Sequence, residues 1–260
     1  MLFFKKKEIP LIDFFPVDFV DIHSHLLPGI DDGAKDVADA VDLAAMAYKS
    51  GITHVVCTPH IHEGYFDNNI ENIKNTHSIF RDALEKAKIP LKSHFAAEVR
   101  ISQSIITLAK TNRLPFLGYL YGKPVLLLEL PHSHIPPGTE QLITWLKANN
   151  ILPMIAHPER NRDILANYNK AKWLRGKGVL FQITAGAITG TFGERVEQCA
   201  SQLLQDHFAD VVATDSHNVH RRPPELAGAY ELLFSEYGKA AADDLCLNNP
   251  LEIAGCWFNE

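Results

Sequence analysis

The amino-acid sequence predicts one α/β domain in which parallel strands close into a (β/α) barrel. Seven short apolar segments alternate with longer segments of helical periodicity, which is the pattern of βα units in a parallel sheet. Polar residues recur where these strands end, and a barrel brings all such ends to one mouth, whereas an open sheet spreads them along an edge. The chain has 260 residues, 46% of them hydrophobic, which is enough for one sizeable core.

The predicted strands are short apolar runs bounded by polar residues or glycine. In chain order they are 19–23, 53–57, 93–98, 125–130, 152–157, 179–183 and 210–214. Asp36 is a candidate N-cap for the first helix, and Gly51 follows its end. The predicted helices are 37–49, 70–87, 102–111, 139–148, 171–177, 193–205, 225–237 and 239–246. No linker divides the chain, so we predict an N-terminal extension at 1–16 and a single barrel domain at 17–260.

Composition and charge exclude several classes of function. The net charge of −6 argues against a broad nucleic-acid surface. No run of about 18 apolar residues is present, so we expect no transmembrane segment. The first residues place their lysines after the apolar positions, unlike a signal peptide, and we therefore expect a cytoplasmic protein. The four cysteines form no C-x-x-C pair, which predicts free thiols.

Metal ligation is indicated first by His23 and His25, an H-x-H at the end of an apolar strand. A spacing of two places both imidazoles on one face of an extended chain, so both are able to bind one ion. The turn that follows carries two carboxylates, of which Asp32 is a candidate ligand, and five later strand ends add six more His or carboxylate positions. The nine candidate ligands are His23, His25, Asp32, His60, Glu98, Glu129, His157, Asp215 and His217.

Nine ligands fit two or three divalent ions, because one ion takes about three or four protein ligands when a position stays open. Donors that are histidine and carboxylate, without thiolates, suit Mn²⁺, Zn²⁺ or Fe²⁺. For any one of these residues, a structural role as a cap or as a hydrogen-bonding partner of buried polar groups is an equally good interpretation. For all nine together it is a poor one, since burying several carboxylates beside neutral imidazoles is costly unless cations compensate.

Arginines near the same strand ends point to an anionic substrate. Arg160 lies three residues after His157, and Arg222 follows His217 within five residues. A guanidinium binds phosphate through two hydrogen bonds, so we predict that both arginines contact a phosphoryl group. The neighbouring Arg221 is interpreted as a solvated loop charge.

An ordered set of motifs resembles a known family. The motifs are DIHSHLLPGIDDG from Asp21, TPH ending at His60, AE ending at Glu98, IAHPER ending at Arg160, FGER ending at Arg195, ATDSHN from Ala213 and RPP from Arg222. In this order they are similar to the bacterial metal-dependent tyrosine-protein phosphatases of the PHP (polymerase and histidinol phosphatase) superfamily, the type that regulates capsule and exopolysaccharide synthesis.

The resemblance implies a distorted (β/α)₇ TIM-like barrel, the PHP fold, with a trinuclear site that usually holds manganese. By this resemblance one ion is held by His23, His25, Glu98 and Asp215. Glu98 bridges to a second ion that also has Glu129 and His157, and a third ion has Asp32, His60 and His217. Arg160 and Arg222 match the family's phosphate-binding arginines.

The implied reaction is hydrolysis of phosphotyrosine, in which a metal-bound hydroxide attacks phosphorus. The implied partner is a tyrosine-phosphorylated protein, the tail of a bacterial tyrosine kinase that controls capsule export. Two alternatives stay open: a PHP phosphatase of histidinol phosphate or another small phosphomonoester, and a non-catalytic barrel that binds a kinase. An amidohydrolase fits less well, because Glu129 stands where that class commonly has a carbamylated lysine.

Overall fold

Ten β-strands form within residues 18–258, the part of the chain that the computed structural model describes. They are β1 (Phe19–Ser24), β2 (Ile52–Cys57), β3 (His60–Ile61), β4 (Lys92–Phe95), β5 (Glu98–Arg100), β6 (Gly118–Leu120), β7 (Lys123–Glu129), β8 (Leu152–Ala156), β9 (Leu180–Thr184) and β10 (Val211–Ala213). All seven predicted strands are found, and the third is divided into β4 and β5. The short strands β3 and β6 have no apolar run long enough to predict them. The predicted extension at 1–16 lies outside the described residues.

Ten α-helices accompany the strands in the same part of the chain. They are α1 (Val37–Lys49), α2 (Ile70–Ala87), α3 (Ser104–Lys110), α4 (Thr139–Ala148), α5 (Arg162–Ala166), α6 (Asn169–Gly176), α7 (Ala185–Ile188), α8 (Glu194–Gln205), α9 (Ala227–Asp243) and α10 (Asn249–Ala254). The last two predicted helices join into α9, which is kinked at Gly238, where φ is 84°. The helices α5, α7 and α10 were not predicted, because each is too short for a periodicity to develop.

Capping side chains explain why α1 and α2 begin where the sequence predicts. The Asp36 carboxylate accepts the backbone N–H groups of Ala38 and Asp39. Asn69 caps α2 in the same way and forms a reciprocal capping box with Asn72. These bonds satisfy N–H groups that lack a partner within the first turn of a helix.

The strands form a mixed α/β fold with parallel sheets. One sheet has the order β1-β2-β4 and the other the order β10-β9-β8-β7-β5-β3, and only β6, paired with β7, is antiparallel among the described strands. Beyond the ends of β1 and β10, the N–H of His25 donates to the carbonyl of Ser216 at 2.8 Å, and the N–H of Asp215 to that of His23 at 2.8 Å. These bonds bring the carboxyl ends of the first and last strands together.

The buried strand β7 shows how the core positions the polar strand ends. Val125 and Leu127 pack in an inner cluster, whereas Leu126 and Leu128 pack in the larger cluster beneath the helices, and all four are fully buried. A strand covered on both faces reads as a continuous apolar run, as this one does. Because side chains alternate, Glu129 follows the inner face of β7 and lies at the end of the inner cluster.

Replacing Gly33 with alanine is expected to destabilise the fold by roughly 1–3 kcal/mol. A Cβ at this position would lie 2.1 Å from the carbonyl oxygen of His25 and 2.5 Å from its Cβ, so the backbone that carries His25 must shift. Chemical denaturation would measure the change. Gly176→Ala is the control, because its Cβ would meet no heavy atom of the described residues within 4 Å. Equal free energies of unfolding for Gly33→Ala and the parent chain would contradict this account.

Candidate metal centre

The structure brings all nine predicted ligands together at the carboxyl ends of the strands. Their ligand atoms form groups in which every atom lies within 4.8 Å of the others. The groups are His23, His25, Glu98 and Asp215; His25, Asp32, His60 and His217; and His60, Glu98 and Glu129. His157 joins them through its Nε2, 2.7 Å from Glu98 Oε1. The first group contains the four residues that the resemblance assigns to one ion.

Glu98 lies at the centre of this arrangement and is fully buried. Its Oε2 is 3.3 Å from His23 Nε2, 3.4 Å from His25 Nε2 and 3.0 Å from His60 Nδ1. The other oxygen faces His157. A carboxylate between four imidazoles is placed to bridge cations, with one oxygen available to each side.

Several polar atoms at this centre are buried and make no hydrogen bond within the described part of the chain. They are His60 Nδ1, Glu98 Oε2, Glu129 Oε2, Asp215 Oδ1 and His217 Nε2. Leaving such atoms unsatisfied is costly, and native proteins contain few of them. All five belong to predicted ligands, and each is a nitrogen or oxygen donor of the kind that divalent transition metals bind. The donor set therefore fits metal ions.

Charge in the centre favours cations. Burial opposes the protonation of His23, but Asp215 and Glu98 outweigh it and raise the pKa of His23 to about 10. Burial and the negative charge of Glu98 raise the pKa of Glu129 to about 7. Burial instead lowers the pKa of His157 and of His217 to about 4, which keeps both imidazoles neutral, the form that ligates metals.

Two polar side chains orient the H-x-H histidines. His23 Nδ1 lies 2.7 Å from Gln182 Oε1, and His25 Nδ1 lies 2.7 Å from Asp31 Oδ2. In both rings the Nε2 atom is thereby directed toward Glu98 and Asp215. A partner of this kind fixes the tautomer of a ligating histidine and raises its basicity. Asp31 also accepts the N–H of His60 at 3.1 Å, so it ties two predicted ligands to one loop.

Substituting Asp31 with asparagine is expected to weaken metal binding by about 10–100-fold, because the partner of His25 loses its charge. Titration of the metal-free chain with Mn²⁺ would measure the dissociation constants. Asp36→Asn is the control, since asparagine also caps a helix well and Asp36 lies on the surface at α1. Unchanged Mn²⁺ affinity in Asp31→Asn would exclude this positioning role.

Arg160 and Arg222 converge on one atom of the centre. Both guanidinium groups donate to Asp215 Oδ2, and the opposite oxygen of that carboxylate faces His23 and His25. Arg222 Nε is buried and has no hydrogen-bond partner within residues 18–258. Arg160 also stacks over the ring of Phe192, with its guanidinium carbon 4.7 Å from the ring centroid. Two fixed guanidinium groups beside the ligand cluster make a site for an anion.

Arg100, Gln182 and Asp31 are parts of this site that the sequence reasoning missed. Arg100 Nη1 lies 2.6 Å from Glu129 Oε1, so Glu129 retains its other oxygen for the centre. Gln182 is a polar residue within the apolar strand β9, and Arg100 is the last residue of β5. These two positions are the sequence signals that point to a role in the site. Asp31 shares one turn with Asp32, and nothing in the sequence separates the roles of the two carboxylates.

Comparisons with known proteins agree on one family. The sequence profile described as "Capsular polysaccharide synthesis, CpsB/CapC" matches residues 19–254. The tyrosine-protein phosphatase YwqE of Bacillus subtilis is 35% identical over 220 residues, covering 84% of this chain and 85% of that protein. The putative tyrosine-protein phosphatase CapC of Staphylococcus aureus is 33% identical over 204 residues, covering 78% and 79%.

A solved structure supports the same relationship. It comes from work described as crystal structures of YwqE from Bacillus subtilis and CpsB from Streptococcus pneumoniae, "unique metal-dependent tyrosine phosphatases". It aligns with a TM-score of 0.84 at 33% identity, over 91% of this chain and 94% of that chain. The profile matches nearly the whole described region, and two relatives are at least 33% identical over most of their length. This chain therefore belongs to the CpsB/CapC family of capsular polysaccharide synthesis proteins.

Proposed function

We propose that this chain is a metal-dependent protein-tyrosine phosphatase. The observation that carries the proposal is the centre itself, in which nine His and carboxylate ligands surround Glu98 and two arginines meet at Asp215. The relatives named above as tyrosine-protein phosphatases supply the substrate class. The ligand groups found among the described residues consist only of histidine and carboxylate donors.

The proposed cofactor is two or three divalent ions, with manganese preferred and iron or zinc as alternatives. His23, His25, Glu98 and Asp215 would hold one ion, Glu98 would be shared with an ion at Glu129 and His157, and Asp32, His60 and His217 would hold another. When bound, such ions polarise a phosphate ester and acidify water. The polar atoms left without hydrogen bonds at this centre support the assignment, since five of them belong to proposed ligands.

Two arginine side chains have a role in the proposed reaction that is separate from that of the metal ions. Arg160 and Arg222 bind the phosphoryl oxygens and stabilise the charge that spreads over them in the transition state. Phe192 holds the Arg160 guanidinium from one face, which limits its motion. The phenolate that leaves has a pKa near 10, so it depends less on a protein acid than an alkyl alcohol would.

We also propose that residues 17–260 are one domain and that the parallel strands close into a distorted (β/α)₇ barrel. The parallel bridge between Ser24 and Ser216 supports closure between β1 and β10. On the other side, the N–H of Ala96 donates to the carbonyl of Cys57 at 2.8 Å, and that of Glu98 to Pro59 at 3.1 Å, which links the two sheets through the β2–β3 and β4–β5 segments.

The proposed substrate is the tyrosine-phosphorylated tail of a bacterial kinase that controls capsule or exopolysaccharide synthesis, and the proposed location is the cytoplasm. The match to a capsular polysaccharide synthesis family supports this setting. Within the described helices, none is both long and apolar enough to cross a bilayer.

Phosphate release from three substrates tests the proposed function. The substrates are a phosphotyrosine peptide, a phosphoserine peptide of the same sequence, and histidinol phosphate, each with added Mn²⁺ and with EDTA. We expect metal-dependent release that favours the phosphotyrosine peptide. Release of phosphate from histidinol phosphate alone would contradict the tyrosine-phosphatase proposal and favour a phosphatase of small phosphomonoesters. No release from any of the three substrates by a metal-loaded chain would favour a non-catalytic barrel that binds a kinase.

A further inference from the structure

Two cavities lie next to each other beside the metal centre, and His132 and Arg160 belong to the lining of both. The cavity nearest the ligands has a volume of about 300 Å³ and is lined in part by Glu129, His157, His132 and Arg160. The neighbouring cavity, about 560 Å³, also has His132 and Arg160 in its lining, which includes none of the nine ligands. We call this second cavity the flanking groove. A substrate whose phosphate reaches Arg160 therefore passes beside the groove.

The flanking groove has apolar walls and a cationic rim. Leu165 of α5 and Val196 of α8 form the walls with Phe192. Arg162 and Arg195 are exposed at its rim, and Arg195 Nη2 donates to the carbonyl of Leu165 at 3.4 Å, which links the start of α8 to α5. Both arginines come from helix starts that pack together, so the spacing of the rim charges is set by the fold.

The charge of the groove is opposite to that of the protein. The chain carries a net charge of −6, yet three arginines and no carboxylate line the groove among the described residues. Two acids adjacent in sequence to the rim arginines make other contacts: Asp163 pairs with Lys170 at 2.8 Å, and Glu194 accepts Gln198 Nε2 at 2.9 Å. Burial, with Arg160 and Arg162 beside it, lowers the pKa of His132. A local positive potential in an acidic protein selects acidic partners.

We propose that the flanking groove binds an acidic segment of the substrate protein next to its phosphotyrosine. The inference rests on the proposed function and adds a specificity determinant to it. Carboxylates of the segment pair with Arg162 and Arg195, and its apolar side-chain atoms pack on Leu165 and Val196. Because these ion pairs lie at the exposed rim, each one contributes modestly to the binding free energy. The preference for an acidic segment is therefore expected to fall as ionic strength rises.

Two phosphotyrosine peptides of equal length test the groove, one with glutamates on both sides of the phosphotyrosine and one with glutamines. The readout is the ratio of kcat/KM for the acidic peptide to that for the neutral peptide. We expect the parent chain to prefer the acidic peptide and Arg162→Glu/Arg195→Glu to lower the ratio about tenfold. Arg195→Glu alone should give an intermediate ratio. Both residues are exposed, and thermal unfolding verifies the fold of each variant.

Arg113→Glu is the charge-matched control for Arg195→Glu, because Arg113 is also exposed but pairs with Glu71 at 3.1 Å outside the groove. Its ratio should equal that of the parent chain. An unchanged ratio in Arg162→Glu/Arg195→Glu would overturn the groove proposal while phosphotyrosine hydrolysis stands.

A binding measurement separates the groove from the catalytic proposal. Fluorescence anisotropy with the labelled acidic peptide, its phosphotyrosine replaced by a non-hydrolysable difluorophosphonate, should give a dissociation constant about tenfold higher for Arg162→Glu/Arg195→Glu. Equal constants would overturn the groove. Weaker binding by Arg162→Glu/Arg195→Glu, together with no phosphate release from either phosphotyrosine peptide by the parent chain, would overturn the proposed function and support the groove.

Discussion

Glu98→Gln is expected to lose bound metal and to lower kcat/KM for a phosphotyrosine peptide about a thousandfold, since metal ions supply several kcal/mol of stabilisation to such a transition state. The substitution keeps the size of the side chain but removes a negative charge that His23, His25 and His60 all face. His157 loses its charged partner as well. Elemental analysis of the purified variant and steady-state phosphate release would measure both effects.

Glu159→Gln is the matched control for this change. Glu159 is also fully buried, in the helical turn after β8, but its Oε1 accepts the N–H of Thr184 at 2.9 Å and the Thr184 hydroxyl, and a glutamine oxygen accepts the same bonds. Metal content and activity should therefore stay near those of the parent chain. Full metal occupancy in Glu98→Gln would contradict the central position that we assign to Glu98.

Arg160→Ala and Arg222→Ala are each expected to lower kcat about 10²–10³-fold while metal stays bound, which is the usual cost of removing one donor to developing negative charge. Each variant leaves Asp215 paired with the other arginine, so the carboxylate is not left alone. Lysine at position 160 should recover only part of the rate, because an ammonium cannot make the paired hydrogen bonds of a guanidinium.

Arg221→Ala provides the control at the adjacent position, where the arginine is exposed and its backbone N–H, not its side chain, bonds to Asn218. Its kinetics should match those of the parent chain. Loss of metal from Arg160→Ala, measured by elemental analysis, would show that Arg160 supports the ligands and would contradict its role at the phosphate.

The sequence predicted the seven main strands and the full extents of α1, α2 and α4. Most of these strands are buried apolar runs, and α1 and α2 have caps whose side chains are visible in the sequence, so local signals were sufficient. The interruption between β4 and β5 was not predictable, because Ala96 and Ala97 continue the apolar run and no residue there breaks it.

The convergence of the ligands was predictable, because polar residues recur at the carboxyl ends of the predicted strands and a barrel brings such ends to one mouth. The sequence does not show which of two adjacent carboxylates is a metal ligand and which one orients a ligand. Asp31 and Asp32 share one turn, and only the folded loop shows that Asp31 bonds to His25 whereas Asp32 Oδ1 lies 3.4 Å from His60 and 3.3 Å from His217. The pairing of His23 with Gln182 joins residues 159 positions apart, a distance that no local pattern reveals.

Stepwise reconstitution with metal is the most direct test of the account. Manganese would be added in known equivalents to chain stripped by a chelator, with phosphate release from a phosphotyrosine peptide followed at each step. The account predicts no release before metal is added and a rise that saturates at two to three equivalents per chain. Full activity in the stripped chain, or saturated metal binding without any release, would contradict it.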